Sequence, residues 1–358
     1  MKSPWIWMAL AAVVSLRAAD LAEIRAIIGN RVESGKAVGI VAGFLDEKGS
    51  VVIAGGKMSR HGAQTPDGDT VFEIGSITKV FTSLLLADMI ERGEVKPNDP
   101  VAKYLPATVK MPSRNGREIT LLDLSTQSSG LPRLPDNLKP ADGANPYVDY
   151  DAPKLYDFLS RYTLTRDPGE KYEYSNLAVG LLGHVLALKA GMSYEDLLRR
   201  RILEPLGMES TSITLTDGQR KRLAPGHGPS LNPVKNWDFG VLAGCGAIRS
   251  TVNDMLKFVA ANLELTDTPL SAAMRRMRSL HKSTGMPDVE IAMAWHIFTK
   301  FDQQIYWHNG GTFGYRSFAG FNPAKKEGVV VLCNSFTDND DLGRHILESR
   351  YPVATSHP

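Results

Sequence analysis

The sequence Phe72-Glu-Ile-Gly-Ser-Ile-Thr-Lys-Val-Phe-Thr-Ser-Leu-Leu-Leu86 leads from a turn-like segment into an apolar run and is the most informative stretch of the chain about its chemistry. Within it, Lys79 follows Ser76 by three residues, so on a helix the two side chains lie on one face. A serine hydroxyl is a weak nucleophile unless a neighbouring base takes its proton. The spacing therefore offers a nucleophile with a base beside it.

The same spacing occurs a second time, at Ser279 and Lys282, in a different context. That pair follows the basic run Arg275-Arg-Met-Arg278, which is typical of the C-terminal end of a solvated helix. Ser76 instead precedes an amphipathic helical pattern that runs to the stop signal Arg92-Gly93. Because a serine at the start of a helix also serves as an N-cap, position alone leaves both interpretations of Ser76 open.

Residues 1–19 are typical of an export signal, with Lys2, a mostly apolar run from Trp5 to Leu16 and the pair Ala18-Ala19. The run is too short to span a bilayer, and no comparable stretch occurs elsewhere in the sequence. We predict a signal peptide at 1–19 and a periplasmic or secreted protein without stable membrane insertion. The imperfect cleavage site leaves an uncleaved anchor as the alternative.

The composition argues against several classes of function. Without residues 1–19 the chain has 39 basic and 39 acidic side chains, and this balance disfavours nucleic acid or anionic membranes as partners. No histidine, cysteine and acidic cluster has metal-ligand spacing, so no metal site is expected. Of the two cysteines, Cys333 lies in an apolar run and is expected to be a buried thiol, with a disulfide to Cys245 as the alternative.

The order of predicted elements indicates an α/β (α+β) fold. A helix at 20–33 and strands at 38–45 and 51–54 begin the chain, and strand patterns return at 291–298, 304–308, 315–321 and 328–333 before a closing helix at 341–350. We predict one domain over 20–358, with an antiparallel sheet from about 20–70 and 285–358 beside a helical lobe at about 71–284. A cleft between them is the expected place for a site.

A second candidate motif is Tyr174-Ser-Asn176, which lies where a loop leads into a predicted helix at 177–189. Side chains at such a junction can point into a cleft. The alternative is that Tyr174 is half-buried with its hydroxyl satisfied, while Ser175 or Asn176 only caps the helix.

A third candidate motif is His308-Asn309-Gly310-Gly311, between two strand patterns late in the chain. Its glycines allow another molecule to approach the backbone closely, so that backbone N–H groups could form an oxyanion hole. The alternative is a hairpin with a glycine-rich turn.

The three motifs together resemble the serine β-lactamase and penicillin-binding protein superfamily, specifically its class C β-lactamase and D-Ala-D-Ala carboxypeptidase branch. That family has a Ser-x-x-Lys helix, a Tyr-x-Asn junction and a Lys/His-x-Gly strand, and this chain has them in the same order. Flanking segments such as 121–132 and 202–208 extend the similarity over nearly the whole mature chain. The resemblance implies a β-lactamase/transpeptidase-like fold and neither a metal nor an organic cofactor.

The resemblance also implies catalytic roles. Ser76 attacks a carbonyl carbon and forms an acyl-enzyme, while Lys79 and Tyr174 share the general-base work. Which of these two holds the proton stays open, because coupled groups titrate as a pair. The backbone N–H groups of Ser76 and Gly311 form the oxyanion hole, and Tyr174 then assists the water or the leaving group.

Substrate binding is implied for Asn176 and for residues 308–311. Asn176 is expected to bond to the substrate amide and to Lys79. Where class C β-lactamases typically have Lys-Thr-Gly, this chain has His308-Asn309-Gly310, a form that resembles some D-Ala-D-Ala carboxypeptidases, D-aminopeptidases and esterases of the superfamily. Histidine is charged only in part at neutral pH. Recognition of a substrate carboxylate at His308 is therefore open, and the motif determines the chemistry better than the substrate.

The sequence thus predicts an exported, monomeric serine hydrolase that acts on a small-molecule or peptide substrate. A class C-like β-lactamase hydrolysing the β-lactam amide is the first hypothesis, a D-Ala-D-Ala carboxypeptidase or D-aminopeptidase the second, and a carboxylic ester hydrolase the third. A penicillin-binding protein that is acylated without turnover is the non-enzymatic alternative, since a fold does not determine an activity.

Overall fold

The computed structural model describes residues 20–354, and the predicted signal peptide at 1–19 lies outside this range. The helices are α1 (20–33), α2 (Thr78–Glu91), α3 (Leu121–Ser125), α4 (Ala152–Arg161), α5 (Asn176–Ala190), α6 (Tyr194–Leu198), α7 (Asp217–Arg222), α8 (Val252–Asn262), α9 (Ser271–Ser279) and α10 (Asp340–Leu347). The strands are β1 (Gly39–Asp46), β2 (Gly49–Gly56), β3 (Phe72–Glu73), β4 (Ser113–Arg114), β5 (Arg117–Glu118), β6 (Arg249–Ser250), β7 (Lys282–Ser283), β8 (Val289–Ile291), β9 (His296–Phe298), β10 (Ile305–Gly311), β11 (Arg316–Asn322) and β12 (Glu327–Cys333).

Eight strands form one antiparallel sheet in the order β2-β1-β12-β11-β10-β9-β8-β7. β12, from the end of the chain, lies between β1 and β11, with Leu332 opposite Val41 and Val330 opposite Ala319. The prediction of a mixed fold whose sheet combines strands from both ends of the chain is confirmed. The division into two lobes at about residues 71 and 284 stays a prediction.

Side chains of β12 point alternately to the two faces of the sheet, and the core therefore consists of two layers. Val330 and Leu332 belong to a cluster that includes α2, α5 and α8, whereas Val329 and Val331 pack with α1 and α10. Successive side chains of a strand point to opposite faces, so helices cover both faces at the centre of the sheet. This double burial explains why the strand is an unbroken apolar run.

α2 is the central helix of the larger layer. Its twelve residues from Thr78 to Met89 are all buried, so the predicted amphipathic pattern is wrong. The reason is that α5, α9 and the 3₁₀ turn Gly240–Cys245 surround it, and a helix buried on every side needs no polar face. Phe81 of α2 stacks on Phe258 of α8 with 4.2 Å between ring centroids.

Two glycines of α5 allow close packing against the Gly240–Cys245 turn. A Cβ on Gly180 would lie 2.7 Å from the Leu242 side chain, and a Cβ on Gly183 would lie 3.0 Å from Gly244 Cα. Larger residues at these positions would push the turn outward. The close approach therefore sets the position of the Cys245 carbonyl, which reaches α2.

The structure corrects one predicted strand and determines the state of the two cysteines. The strand predicted at 291–298 is instead the hairpin β8–β9, whose turn contains Ala294 with a φ of +61°. The turn was not predicted because residues 292–295 contain no glycine, proline, asparagine or aspartate. Cys245 and Cys333 are both buried free thiols, so the disulfide alternative is not realised.

Within residues 20–354, no single helix has the length and apolar composition needed to cross a membrane. One pair, Asn176–Ala190 with Tyr194–Leu203, meets those criteria only when its two parts are taken together, and it is bent by 81°.

Candidate active site

Ser76 lies in the 3₁₀ turn Gly75–Ile77, immediately before α2. The N-cap of α2 is Ile77, without a side-chain cap bond, so Ser76 does not act as the helix cap. Gly75 has a φ of +50°, and a Cβ there would lie 2.6 Å from the backbone nitrogen of Gly311. Glycine alone combines this φ with so close an approach, which places Ser76 against the end of β10.

Lys79 is fully buried in the first turn of α2. Its Nζ lies 2.9 Å from Ser76 Oγ and 2.7 Å from the Cys245 carbonyl oxygen. A carbonyl oxygen only accepts hydrogen bonds, whereas a hydroxyl both donates and accepts. Of these two partners, Ser76 is therefore the one with which Lys79 can exchange a proton.

Tyr174 lies in the loop just before α5, and Ser175 caps that helix by accepting a bond from the Ala178 N–H at 2.9 Å. Two basic side chains pack on the Tyr174 ring, with Lys79 Nζ 4.9 Å and Arg133 Cζ 5.1 Å from the ring centroid. Cationic groups are attracted to the face of an aromatic ring. These contacts hold Tyr174 beside the pair of Ser76 and Lys79.

Asn176 is the first residue of α5, and only one end of its side-chain amide forms a hydrogen bond. Its Nδ2 donates to the Tyr147 hydroxyl at 3.1 Å, while its Oδ1 is buried and has no partner among the described residues. The expected bond between Asn176 and Lys79 is not formed in this structure, because Lys79 Nζ is directed to Ser76 and to the Cys245 carbonyl. Oδ1 is thus an acceptor that no described residue uses.

His308 lies beneath the surface of the cleft and is 1% exposed. Its Nδ1 donates to the Asn309 carbonyl at 2.6 Å. Burial, and after it the nearby His296 and Lys79, hold the pKa of His308 well below its ordinary range. His296 bonds to the Tyr172 hydroxyl at 2.9 Å, and burial and Lys79 lower its pKa to about 4. Both rings are uncharged at neutral pH, so His308 brings no cation to the site.

The end of β10 contacts the Ser76 turn through glycine. A Cβ on Gly310 would overlap the Ile74 carbonyl oxygen, to which Ser317 Oγ donates at 2.8 Å. No larger residue fits there. The backbone of Gly311 therefore lies against the turn that carries Ser76, and the two backbone N–H groups proposed as an oxyanion hole come from adjacent segments.

These elements enclose a cleft of about 620 Å³. Five residues predicted from the sequence lie in its wall: Ser76, Tyr174, Asn309, Gly310 and Gly311. The other predicted residues, Lys79, Asn176 and His308, are not in that wall. Six lining residues were not predicted: Arg133, His296, Trp307, Arg316, Phe336 and Asp338.

Arg133 and Arg316 are the cations in this wall, and no sequence signal identified them. Each is a single basic residue outside the three motifs, and only the packing of distant segments brings it to the cleft. Among residues 20–354, no group of three or more histidine, cysteine, aspartate or glutamate side chains could hold a metal ion.

Comparisons with known proteins agree with this geometry. The family model described as Beta-lactamase matches residues 24–349. The chain is 32% identical over 283 residues to the D-alanyl-D-alanine-carboxypeptidase/endopeptidase AmpH of Escherichia coli (strain K12), covering 75% of this chain and 71% of that protein. It is 28% identical over 304 residues to a beta-lactamase of the same strain, covering 74% of this chain and 75% of that protein.

Among solved structures, the chain is similar to a beta-lactamase/D-alanine carboxypeptidase from Yersinia pestis complexed with citrate. The TM-score is 0.78 at 28% identity, and the match covers 91% of this chain and 97% of that one. The match of the family model over most of the chain agrees with the three motifs and with the fold. The protein therefore belongs to the beta-lactamase family of serine hydrolases.

Proposed function

We propose that the protein hydrolyses the β-lactam amide through an acyl-enzyme on Ser76. The observation that carries this proposal is the 2.9 Å contact between Lys79 Nζ and Ser76 Oγ in the cleft. A nucleophile and a base within hydrogen-bond distance are the arrangement that activates a serine hydroxyl.

In the acylation step, Ser76 Oγ bonds to the carbonyl carbon and its proton passes to the coupled pair of Lys79 and Tyr174. The carbonyl oxygen becomes negatively charged and accepts hydrogen bonds from the backbone N–H groups of Ser76 and Gly311. The C–N bond then breaks, and the leaving nitrogen receives the proton. Asn176 Oδ1 is an acceptor that is unused among the described residues and lies outside the cleft wall, so its bond to the amide N–H of the substrate requires the Asn176 side chain to turn into the cleft.

In the deacylation step, a water molecule attacks the ester carbon while Tyr174 assists in removing the proton of the water. The bond to Ser76 Oγ breaks, the oxygen regains a proton, and a carboxylic acid leaves. Hydrolysis restores the free enzyme, so a fast second step distinguishes a β-lactamase from a protein that only becomes labelled.

Cleavage of D-alanyl peptides is a second candidate, and a specific observation favours it. At the position where class C β-lactamases typically have lysine, this chain has His308, which is buried and uncharged and resembles the form of some D-Ala-D-Ala carboxypeptidases. A protein similar to this chain is named a D-alanyl-D-alanine carboxypeptidase/endopeptidase. The same Ser76 chemistry would serve either substrate.

The test compares the rates at which the purified protein hydrolyses nitrocefin, a D-Ala-D-Ala peptide and a short p-nitrophenyl ester. Ser76→Ala is the variant expected to be inactive. If nitrocefin has the highest kcat/KM of the three substrates, the result supports β-lactamase activity. A higher kcat/KM for the peptide supports the carboxypeptidase, and a higher kcat/KM for the ester supports the ester hydrolase. Equal rates for Ser76→Ala and the unaltered protein would remove Ser76 as the nucleophile.

We also propose that the protein is exported and acts as a monomer. The support is the composition of residues 1–19 and the cleft formed within one chain. Cell fractionation with N-terminal sequencing tests export, and light scattering tests the monomer. An uncleaved N-terminus in the membrane fraction, or a dimer mass, would contradict these two statements.

A further inference from the structure

Arg316 is a cation held firmly at the edge of the cleft, and neither the motifs nor the mechanism uses it. Its guanidinium Cζ lies 3.7 Å from the centroid of the Phe336 ring. Nη1 donates to the carbonyl oxygens of Thr312 at 2.8 Å and Tyr315 at 3.1 Å. Both bonds go to neutral groups, so neither neutralises the charge of the guanidinium.

The guanidinium lies directly against the oxyanion-hole residue. Arg316 pairs with Gly311 across the β10–β11 ladder, and a Cβ on Gly311 would lie 2.6 Å from Arg316 Nη1. The absence of a side chain at Gly311 thus makes the space that the guanidinium occupies. A substrate group next to a carbonyl bound between Ser76 and Gly311 would therefore lie on the side of the cleft that Arg316 lines.

The charges in the cleft make Arg316 a better candidate than His308 for binding an anion. His308 is uncharged, whereas an arginine stays protonated in proteins even where burial lowers its pKa. Its planar fork also matches both oxygens of a carboxylate. Asp338 lies in the same cleft wall and interacts electrostatically with Arg316, so its charge opposes the approach of another anion.

We propose that Arg316, and not His308, recognises the carboxylate of the substrate, and that Asp338 limits the strength of this recognition. The inference rests on the proposed acylation of Ser76, because it assumes that the reacting carbonyl lies between Ser76 and Gly311. The substrate class is then an amide with a free carboxylate about one residue beyond the bond that breaks.

The experiment measures acylation or turnover with two matched pairs: benzylpenicillin and its methyl ester, and N-acetyl-D-alanyl-D-alanine and its C-terminal amide. The quantity compared is the ratio of kcat/KM, or of the acylation rate constant, between the acid and its neutral partner. The variants are Arg316→Gln, Arg316→Lys and Asp338→Asn. Asparagine keeps the Oδ1 that accepts the Asp340 N–H at 2.9 Å.

Arg316→Gln should lower the acid-to-neutral ratio by about 10- to 100-fold, the range expected for one charge-assisted hydrogen bond. Arg316→Lys should restore part of it. Asp338→Asn should raise the ratio, because it removes a negative charge that opposes the approach of another anion. Arg344→Gln is the control. Arg344 is a basic residue of α10 outside the cleft wall, so the loss of its charge should leave the acid-to-neutral ratio unchanged.

An unchanged ratio in Arg316→Gln, or a lower ratio in Asp338→Asn, would overturn the proposal, as would the absence of reaction with both acids. If Arg316→Gln does not fold, Arg316→Lys decides, because lysine keeps the charge and loses the planar fork; a ratio equal to that of the unaltered protein would overturn the proposal. Failure of the underlying function is recognised separately, because a fluorophosphonate would then label Ser76→Ala as well as the unaltered protein.

Discussion

Several polar side chains of the site are buried, and burial decides what each can contribute. Lys79 is removed from water and has two oxygen partners, of which only Ser76 can exchange a proton. His308 is equally buried and stays uncharged. Positive charge in the wall of the cleft comes instead from Arg133 and Arg316. The motif spacing predicted which residues would meet, whereas their charge depends on neighbours that are distant in sequence.

Lys79→Met should lower kcat/KM for nitrocefin by about 10²- to 10⁴-fold, the usual contribution of a general base. Stability should change by no more than about 3 kcal/mol, because methionine fills a similar volume without burying an amine, while the Cys245 carbonyl loses its hydrogen-bond donor. Lys282→Met in the second Ser-x-x-Lys segment is the matched control, since Ser279 is exposed and bonds to the Arg276 carbonyl. Comparable losses in both variants, or none in Lys79→Met, would contradict the role of Lys79.

His296 should make the protein less stable as the pH falls from about 6.5 to about 4. The unfolded chain takes up a proton near pH 6.5, but the folded protein resists it until about pH 4, so the stabilisation present above pH 6.5 is lost on acidification. The loss is up to roughly 3 kcal/mol for a shift of this size. Urea unfolding of His296→Gln should therefore show a weaker pH dependence across this window.

The exposed His61→Gln is the control for the His296 experiment and should follow the unaltered protein. Comparing variants at each pH is necessary because Asp340 acts in the opposite direction. Burial raises the pKa of Asp340 to about 7, so its contribution is lost as the pH rises. An identical pH dependence for His296→Gln and the unaltered protein would show that His296 is not the titrating group.

At the scale of elements, the site is assembled where three segments meet: the turn before α2, the loop before α5 and the end of β10. Glycine at positions 75 and 310 permits the first and third to touch. The Gly240–Cys245 turn supplies the carbonyl that holds Lys79. The glycines could be read from the sequence, but the role of a backbone carbonyl 166 residues from Lys79 could not.

Gly310→Ala should separate β10 from the Ser76 turn, because its Cβ would overlap the Ile74 carbonyl. We expect a destabilisation of about 1–3 kcal/mol from overpacking and a loss of activity on the order of 100-fold from the displaced oxyanion hole. Calorimetry and nitrocefin hydrolysis measure the two effects.

Gly29→Ala in α1 is the matched control for Gly310→Ala, since its Cβ would have nothing within 4 Å. It should leave activity unchanged and raise stability by up to about 1 kcal/mol, the difference in helix propensity. Full activity in Gly310→Ala would mean that the contact between β10 and the turn is not needed.

At the scale of the whole molecule, both ends of the chain contribute to the centre of one sheet, while the helical middle packs on one face. Strand alternation and apolar runs predicted that strands from both ends of the chain combine in one antiparallel sheet. They did not predict that α2 is buried on every side, because that depends on how α5, α9 and the Gly240–Cys245 turn pack around it. The sequence did not predict the β8–β9 turn, because residues 292–295 contain none of the residue types that favour turns.

The two cysteines report on whether sheet and helices unfold together. Cys333 lies in β12 and Cys245 beside α2, and burial raises the pKa of both thiols, that of Cys333 to about 11. Both should resist a thiol reagent in the native protein and react in one transition at the same denaturant concentration. Separate midpoints would indicate two units, and no reactive thiol in denaturant without reductant would indicate a disulfide.

Mapping of a covalent adduct shows whether Ser76 is the nucleophile. The protein is incubated with a fluorophosphonate, digested, and the modified peptide is identified by mass spectrometry. We predict one adduct on Ser76, absent in Ser76→Ala and retained in Ser279→Ala. An adduct that persists in Ser76→Ala, or that maps to another residue, would show that Ser76 is not the nucleophile.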